Sequence, residues 1–436
     1  MSRVVVAKFG GSSMADAEHF TAAKQIIARD EARRYVVPSA PGKRRKDDHK
    51  VTDLLYMCHQ LAEHNIDFGE VFTLVANRYR DIYTGLGLQQ DLEAALEQVR
   101  TEIVEGASEG HVASRGEYLN GLLLAEFLGY EFVDAADVVV FSSDGVYDAD
   151  ATMIRLRDVL GEIHRAVIPG FYGADQNGSI HTFSRGGSDV SGAIVASAVG
   201  ADLYENWTDV SGFLQADPRV VTNPAPIETV SYKELRELSY MGASVLHEEA
   251  IFPVREKSIP INVRNTERPE DPGTLIVPDS DRVGHSGITG IAGKQHFTVL
   301  TLEKTLMDEE KGFVRKLVSV FETNGVSIAH IPSGIDSVSV VVRSEEIGFK
   351  LAKVVEEIKI FCHPDAVSVE EGISLIAVVG RGMVSTPGIA ARVFTKLARA
   401  KINIRIITQG ASELSILIGV EDSQFDDALR TLYSAI

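Results

Sequence analysis

Lys8-Phe9-Gly10-Gly11-Ser12-Ser13 follows directly on the apolar run Val4-Val5-Val6-Ala7. A buried strand thus delivers a lysine and breaks at once into two glycines and two hydroxyls. Glycines let backbone N–H groups approach an anion closely, and a lysine at the same corner adds a point charge where a transferring phosphoryl group gathers negative charge. The pattern predicts a phosphate-binding turn. It is not the nucleotide loop that closes on Gly-Lys-Ser/Thr, because here the lysine precedes the glycines. The competing reading, a strand-end lysine reaching solvent along its own stem, does not explain why the glycines follow at once.

Working outward, apolar strands alternate with helical patterns from residue 1 to about 280. The strands read as Val4–Ala7, Tyr35–Pro38, Val138–Phe141, Ala166–Phe171, Leu203–Trp207 and Pro260–Val263, with helices such as Val51–Glu63, Tyr118–Leu128 and Val190–Val199 between them. This predicts an α/β fold with a mainly parallel sheet covered by helices on both faces. Ligands of such sheets sit at the carboxyl ends of strands, and that is where the polar turns fall. Thr182-Phe183-Ser184-Arg185-Gly186-Gly187-Ser188-Asp189 is a second glycine pair, opening a helix from Asp189 to Val199. Trp207-Thr208-Asp209-Val210-Ser211-Gly212-Phe213, followed by Ala216-Asp217-Pro218-Arg219, is a third polar turn after an apolar strand.

Together with Val37-Pro38-Ser39-Ala40-Pro41-Gly42 and Ser114-Arg115-Gly116-Glu117, and in this order, these motifs resemble aspartate kinases of the amino-acid kinase family, of the monofunctional type. The resemblance covers essentially the whole chain. It implies an amino-acid-kinase fold and phosphoryl transfer from ATP to L-aspartate, with Mg2+ bridging ATP oxygens and keeping several waters. It also implies roles. Lys8 contacts the transferring group, while Gly10, Gly11 and Ser12 hold phosphate oxygens. Arg185 takes a substrate carboxylate and Glu117 the α-ammonium; Thr52 orients the substrate, Ser39 lies near the phosphoryl path, and Ser188 and Asp189 stand next to Arg185. Asp189 reads equally as a helix N-terminal carboxylate, stabilised there in any protein. Thr208, Asp209, Gly212, Asp217 and Arg219 form the nucleotide turns, with a structural Asp217–Arg219 partnership as the other reading of that pair. No protein metal ligand is assigned. Two departures stand out: Ser244 where many aspartate kinases carry a lysine near ATP, and Leu214 where a tyrosine often lies near adenine.

Composition narrows the function further. With 43 basic and 62 acidic side chains the net charge is −19, which opposes nucleic-acid or anionic-membrane binding as a bulk property. Lys43-Arg44-Arg45-Lys46-Asp47-Asp48-His49-Lys50 mixes signs and lacks aromatic residues, so it reads as a mobile, solvated loop at the mouth of the site rather than a nucleic-acid contact. Cys58 and Cys362 are far apart and fit neither a disulfide framework nor a zinc spacing. No apolar stretch is long enough to span a bilayer and none reads as a signal segment, so a cytoplasmic protein is expected.

Near Pro272–Gly287 the composition shifts to Pro, Gly, Asp and Ser, the mark of a linker. Beyond it the chain repeats: the same 76 positions separate Gly312 from Gly388, each opening a helix, and Val326 from Ile402, each leading into a strand. Strand pairs follow, Ile328–Ile331 with Val338–Val342 and Ile404–Ile407 with Leu414–Val420. Two ferredoxin-like βαββαβ units are predicted, residues 304–370 and 371–436, after a catalytic domain over 1–280 and a connecting stretch over 281–303. They resemble ACT domains, or else serve packing and dimerisation alone. In the resembled family the first ACT unit is inserted into the second, which leaves open whether Ile288–Leu302 pairs with the C-terminal unit. The resemblance implies an effector site across a homodimer interface, with Met307, Asp308, Gly312, Phe313, Val314, Ser327 and Asp336 as candidates. Lysine is the first expectation and threonine the second, although an aspartate often found after Ser-Ile is Ala329 here. Two alternatives remain at this point: a sibling enzyme acting on N-acetylglutamate, carbamate or UMP, and an amino-acid sensor whose kinase half has decayed.

Overall fold

The computed structural model describes residues 3–184, 186–243, 246, 251–279, 287–410 and 412–436. Contacts divide the chain into two compact units, the first Met1–Phe213 with Pro226–Leu235 and Ser244–Val283, the second Leu214–Ala225 with Arg236–Ala243 and Gly284–Ile436.

The first unit is built on strands β1 (Val5–Phe9), β2 (Arg33–Pro38), β3 (Glu131–Phe132), β4 (Ala166–Val167), β5 (Tyr172–Ala174), β6 (Ile180–Thr182), β7 (Leu203–Thr208), β8 (Thr229–Ser231), β9 (Ile261–Asn265) and β10 (Thr274–Val277). Eight of them form one sheet in the order β3-β4-β2-β1-β7-β9-β10-β8, and β5 pairs with β6 as a separate hairpin. Every pairing in the large sheet is parallel except β9 with β10. Central β1 is buried along its whole length, as a strand covered on both faces must be. Because side chains alternate, Phe9 faces the helix Ala17–Ala28 and the core while Lys8 faces the other way.

The helix Val51–Glu63 has the predicted bounds, whereas Tyr118–Leu128 is the second half of a longer helix, Glu109–Leu128. Ser108 Oγ accepts from His111 N at 3.3 Å and so starts that helix ahead of its apolar half. The predicted strand Val138–Phe141 is not one. Asp134 caps a helical turn over Ala135–Val138, and Val140 and Phe141 make only single bridges, to Ala174 and Tyr147. The run read as a strand over Ala166–Phe171 stops at Val167, and the backbone at Phe171 turns to φ 81°.

The second unit carries β11 (Gly290–Glu303), β12 (Ile328–His330), β13 (Ser337–Arg343), β14 (Ala366–Val379), β15 (Ile406–Gln409) and β16 (Ser415–Glu421) in a single antiparallel sheet, order β12-β13-β11-β14-β16-β15. The repeat is as read: Gly312 at φ 83° and Gly388 at φ 92° each precede a helix, Phe313–Thr323 and Ile389–Arg399. The two repeats are not separate sheets, however. Strands β11 and β14 are each 14 residues long and pair with one another; the far half of β11, from Phe297, also pairs with β13, and Ile373–Val379 of β14 also pairs with β16. The stretch Ile288–Leu302 therefore serves both repeats. The sheet curls until its two edge strands meet, with His330 Nε2 on β12 lying 2.8 Å from Thr408 Oγ1 on β15. One repeat has a core around Leu317, Phe321, Val340 and Ile358; the core of the other takes in Ala216 and Val221, which draws residues 214–225 into this unit.

Candidate active site

Lys8 is the next-to-last residue of β1, with only 7% of its surface exposed, and its ammonium lies 2.5 Å from Asp189 Oδ1. Asp189 is the third residue of the helix Gly187–Val199, so it sits in the first turn as well as on Lys8. Asn206 on neighbouring β7 donates from Nδ2 to the same Oδ1 at 2.9 Å, and the Tyr204 hydroxyl donates to the Asp189 carbonyl at 3.0 Å. A buried ammonium needs such a partner, since an unpaired charge out of water is costly. The pair thereby fixes a cation at the mouth of the glycine turn. A Cβ on Gly10 would come within 3.5 Å of Lys8 Nζ, and Gly11 to Met14 form a single 3-10 turn in which Ser12 is half-buried.

Glu117 lies on the helix Glu109–Leu128, 5% exposed. Its Oε1 accepts from Ala40 N at 3.0 Å; its Oε2 is buried without a hydrogen-bond partner. Burial pushes this carboxyl up to about 8, against the pull of the Ala40 N–H and of nearby Lys8. One turn further on, Asn120 donates to the Ser39 carbonyl at 2.6 Å, and Ser39 N donates to Phe9 O at 3.0 Å. The Ser39–Ala40 backbone is thus clamped between β1 and that helix. Gly42 N donates to Gly11 O at 2.7 Å, and a Cβ on Gly42 would meet Gly11 C at 2.6 Å, so only glycine permits this approach of the two loops. Thr52 stands half-buried in the first turn of Val51–Glu63.

Glu117 has a consequence for stability that can be measured. In the unfolded chain the carboxyl titrates near 4.5, and in the folded chain at about 8. Between those values the folded state holds a proton that the unfolded state has lost, so stability falls as pH rises through this window and is level on either side. In Glu117→Gln, which keeps an acceptor for Ala40 N–H, the melting temperature is expected to fall less than in the wild type from pH 5 to pH 8. Parallel curves for the two proteins would contradict the raised carboxyl.

Ser188 is buried against Gly170, where a Cβ would come within 2.7 Å of Ser188 Cβ. Next to it Phe171, left-handed at φ 81°, is held by Ser191 Oγ, which accepts from Phe171 N at 2.9 Å, and by Phe183 N, which donates to Phe171 O at 2.8 Å. An aromatic residue in that region is strained, and strain of this kind gathers at binding sites. Arg185 lies outside the described residues, as does Ser244.

The nucleotide turn follows β7. Thr208 O accepts from Thr266 N at 2.9 Å, Thr208 Oγ1 donates to Asp209 Oδ1 at 3.1 Å, and Asp209 itself is exposed. Gly212 has φ 95°, with Thr274 Oγ1 where a Cβ would stand. Asp217 and Arg219 belong to the second unit, where Arg219 grips Asp217 through Nη2 at 2.6 Å and Nε at 3.0 Å, the structural partnership left open by the sequence. Leu214 is partly exposed. Among the described residues no group of three acidic, histidine or cysteine side chains is placed to hold a metal ion.

Of the effector candidates, Asp336 is brought to the Met307 turn, where its Oδ1 accepts from Leu306 N at 2.9 Å. Asp308, Gly312 and Val314 are exposed around that turn. Met307 and Phe313 put their side chains into the core, which leaves only their backbone to a ligand. Ser327 N is taken by Glu346 Oε2 at 2.9 Å, away from the others.

The loop 43–50 corrects the sequence reading. It is not simply solvated: Asp48 accepts from Arg44 Nε at 2.9 Å and from the buried Arg78 Nη2 at 2.6 Å. Arg78, Asn120, Asn206 and Ser191 were not singled out by sequence, for none of them falls within a motif. Both cysteines are buried and free, and burial pushes Cys58 up to about 12. Among the described residues no helix is long and apolar enough to cross a membrane.

Residues 3–265 match the amino acid kinase family and residues 376–436 match the ACT domain. Aspartokinase 3 of Bacillus subtilis is 36% identical, over 98% of this chain and 97% of its own. The crystal structure of Clostridium acetobutylicum aspartate kinase superposes with a TM-score of 0.93 at 50% identity, covering 100% of both chains. Escherichia coli aspartokinase III in complex with aspartate and ADP superposes at 0.75 with 26% identity, again over 100% of both chains.

Proposed function

The chain belongs to the amino acid kinase family, among its aspartokinases, and from that premise we propose how its site works. It transfers the terminal phosphoryl group of ATP to the side-chain carboxylate of L-aspartate, giving 4-phospho-L-aspartate at the head of lysine, threonine and methionine synthesis. The observation that carries the reading is the buried Lys8 ammonium, locked by Asp189 beside the glycine turn. A carboxylate nucleophile is already ionised at neutral pH, so no general base is required. Asp189 therefore acts by holding Lys8 in place, and catalysis is positioning and charge neutralisation.

The attacking carboxylate oxygen forms its bond to the γ-phosphorus as the bond to the ADP oxygen breaks. Lys8 stabilises charge on the group in transit, and the N–H groups of Gly10 and Gly11 with the Ser12 hydroxyl hold phosphate oxygens. Glu117 takes the substrate ammonium on its unpartnered Oε2; a cation at that point favours the ionised carboxylate, so its proton leaves as aspartate binds. Arg185 is assigned a substrate carboxylate, with Thr52, Ser39 and Ser188 shaping the same pocket. Thr208, Asp209 and Gly212 are assigned to the nucleotide. Magnesium suits the oxygens of the nucleotide, where it would neutralise charge. A coupled assay of ADP release should respond to L-aspartate and not to N-acetylglutamate, carbamate or UMP. Turnover with one of those and none with aspartate would overturn the assignment, and none with any substrate would favour a decayed sensor.

The second unit is the regulatory half, and its effector is an amino acid, as in aspartokinase III of Escherichia coli, whose structure is known with lysine and aspartate. We assign lysine, alone or with threonine, to the exposed corner of Asp308, Gly312 and Asp336. Exposed Phe349, Ile360 and Phe361 offer apolar surface for a second copy in a homodimer. Lysine is expected to inhibit, and Asp336→Ala to relieve inhibition with little change in uninhibited kcat. Calorimetry of the full chain that registers no heat with lysine or threonine, together with unaltered activity, would leave this unit a structural one.

A further inference from the structure

Arg78 lies on the helix Gly69–Leu86, far in sequence from every motif of the site, and is 4% exposed. Its Nη1 donates to the Gly42 carbonyl at 2.7 Å and reaches the Ala15 carbonyl at 3.5 Å. Its Nη2 donates to Asp48 Oδ2 at 2.6 Å and to the His49 carbonyl at 3.3 Å. One planar fork thus touches the end of the phosphate turn, the glycine loop packed on that turn, and the cationic loop that follows. The next residue, Tyr79, donates its hydroxyl to Gly116 O at 2.7 Å, beside Glu117. A lysine could not replace this guanidinium, since an ammonium has no fixed fork to divide between carbonyls and a carboxylate.

We propose that Arg78 is a positioning residue for phosphoryl transfer: it sets the spacing of the Gly10–Ala15 and Pro41–Gly42 backbones and latches the loop 43–50 to them through Asp48. That spacing is tight, with Gly42 N 2.7 Å from Gly11 O. Asp48 completes the latch by accepting from Arg44 N and Nε at 3.1 and 2.9 Å, and these bonds outweigh burial in holding its carboxyl well below the usual range. The latch keeps exposed Lys43, Arg45 and Lys46 close to the turn, where they attract the anionic substrates.

The inference rests on the phosphoryl-transfer reading, and kinetics of three variants test it. Small misplacement of a catalytic constellation costs on the order of tenfold to a hundredfold, so Arg78→Ala and Arg78→Lys should each lose about tenfold or more in kcat. Millimolar methylguanidinium should restore part of the activity of Arg78→Ala and none of Arg78→Lys, whose side chain fills the slot. Asp48→Asn keeps the Gly42 and Ala15 contacts but loosens the loop, and should raise KM several-fold with kcat nearly kept. Wild-type kcat in a folded Arg78→Ala, or a loss that methylguanidinium leaves untouched, overturns the inference. If Arg78→Ala does not fold, Asp48→Asn decides: unchanged KM overturns it. A wild type without aspartate-dependent ADP release defeats the phosphoryl-transfer reading itself, whereas an active wild type beside an unaffected Arg78→Ala defeats this inference alone.

Discussion

Replacing Lys8 with alanine lowers kcat by about a hundredfold or more, the loss seen when a preorganised charge donor is removed from a transition state. The side chain is buried near the end of β1, Asp189 fixes it at 2.5 Å, and Asn206 fixes Asp189 in turn. Its charge therefore costs no reorganisation at the moment of transfer. Because the contact strengthens as charge gathers on the moving group, kcat and kcat/KM should fall together. The variant also leaves Asp189 without its cation, so its melting curve must be recorded beside the kinetics. A folded Lys8→Ala with nearly normal kcat would remove Lys8 from the mechanism and leave it a counter-ion of Asp189.

The second large effect is on stability, on the opposite face of the same sheet. Arg33 donates to Glu205 through Nε at 2.6 Å and Nη2 at 3.0 Å, and to Ile26 O at 2.6 Å; Trp207 Nε1 also donates to Glu205, at 2.9 Å. Arg33 and Glu205 are 6% and 2% exposed. Removing Arg33 leaves the Glu205 carboxylate only Trp207 Nε1 and the more distant Arg264 Nη1 at 3.8 Å, and breaking a buried pair costs about 3–5 kcal/mol. Arg33→Met should therefore lose about that much in denaturant unfolding, while Arg33→Met with Glu205→Leu should be less destabilised than the single variant. Equal losses in both would show that packing, not the stranded carboxylate, sets the effect. The site feels this cluster through the Trp207 carbonyl, which accepts from Gly10 N at 2.9 Å.

The sequence made some of this legible and hid the rest, for identifiable reasons. The turn after Lys8 was readable because an apolar strand, a cation and two glycines occur together within one short stretch. The helix Val51–Glu63 was readable from its apolar period, whereas Glu109–Leu128 was cut short because its first half is polar and holds two glycines, Gly110 and Gly116. Asp189 had two readings, a neighbour of Arg185 and a helix N-terminal carboxylate; it does lie in a helix's first turn, while its contact with Lys8 is set by the sheet and carried no sequence signal. Asn120 and Asn206 carry no pattern, since their meaning comes from what the sheet order places beside them. The loop 43–50 looked solvated because its anchor, Arg78, lies on a helix about 30 residues away, where nothing in the sequence sets it apart from the exposed Arg80 and Asp81 beside it. The sharing of β11 and β14 between the two repeats was left open because the stretch Ile288–Leu302 can pair with either unit; in the fold Lys294-Gln295-His296 interrupts its pairing without ending the strand.

The most direct test of the central claim is the chemical identity of the product. An acyl phosphate is trapped by hydroxylamine, so the protein incubated with ATP, magnesium, L-aspartate and hydroxylamine should yield aspartate β-hydroxamate in step with ADP. Release of ADP without any hydroxamate, or formation of the α-hydroxamate in its place, would contradict phosphoryl transfer to the side-chain carboxylate.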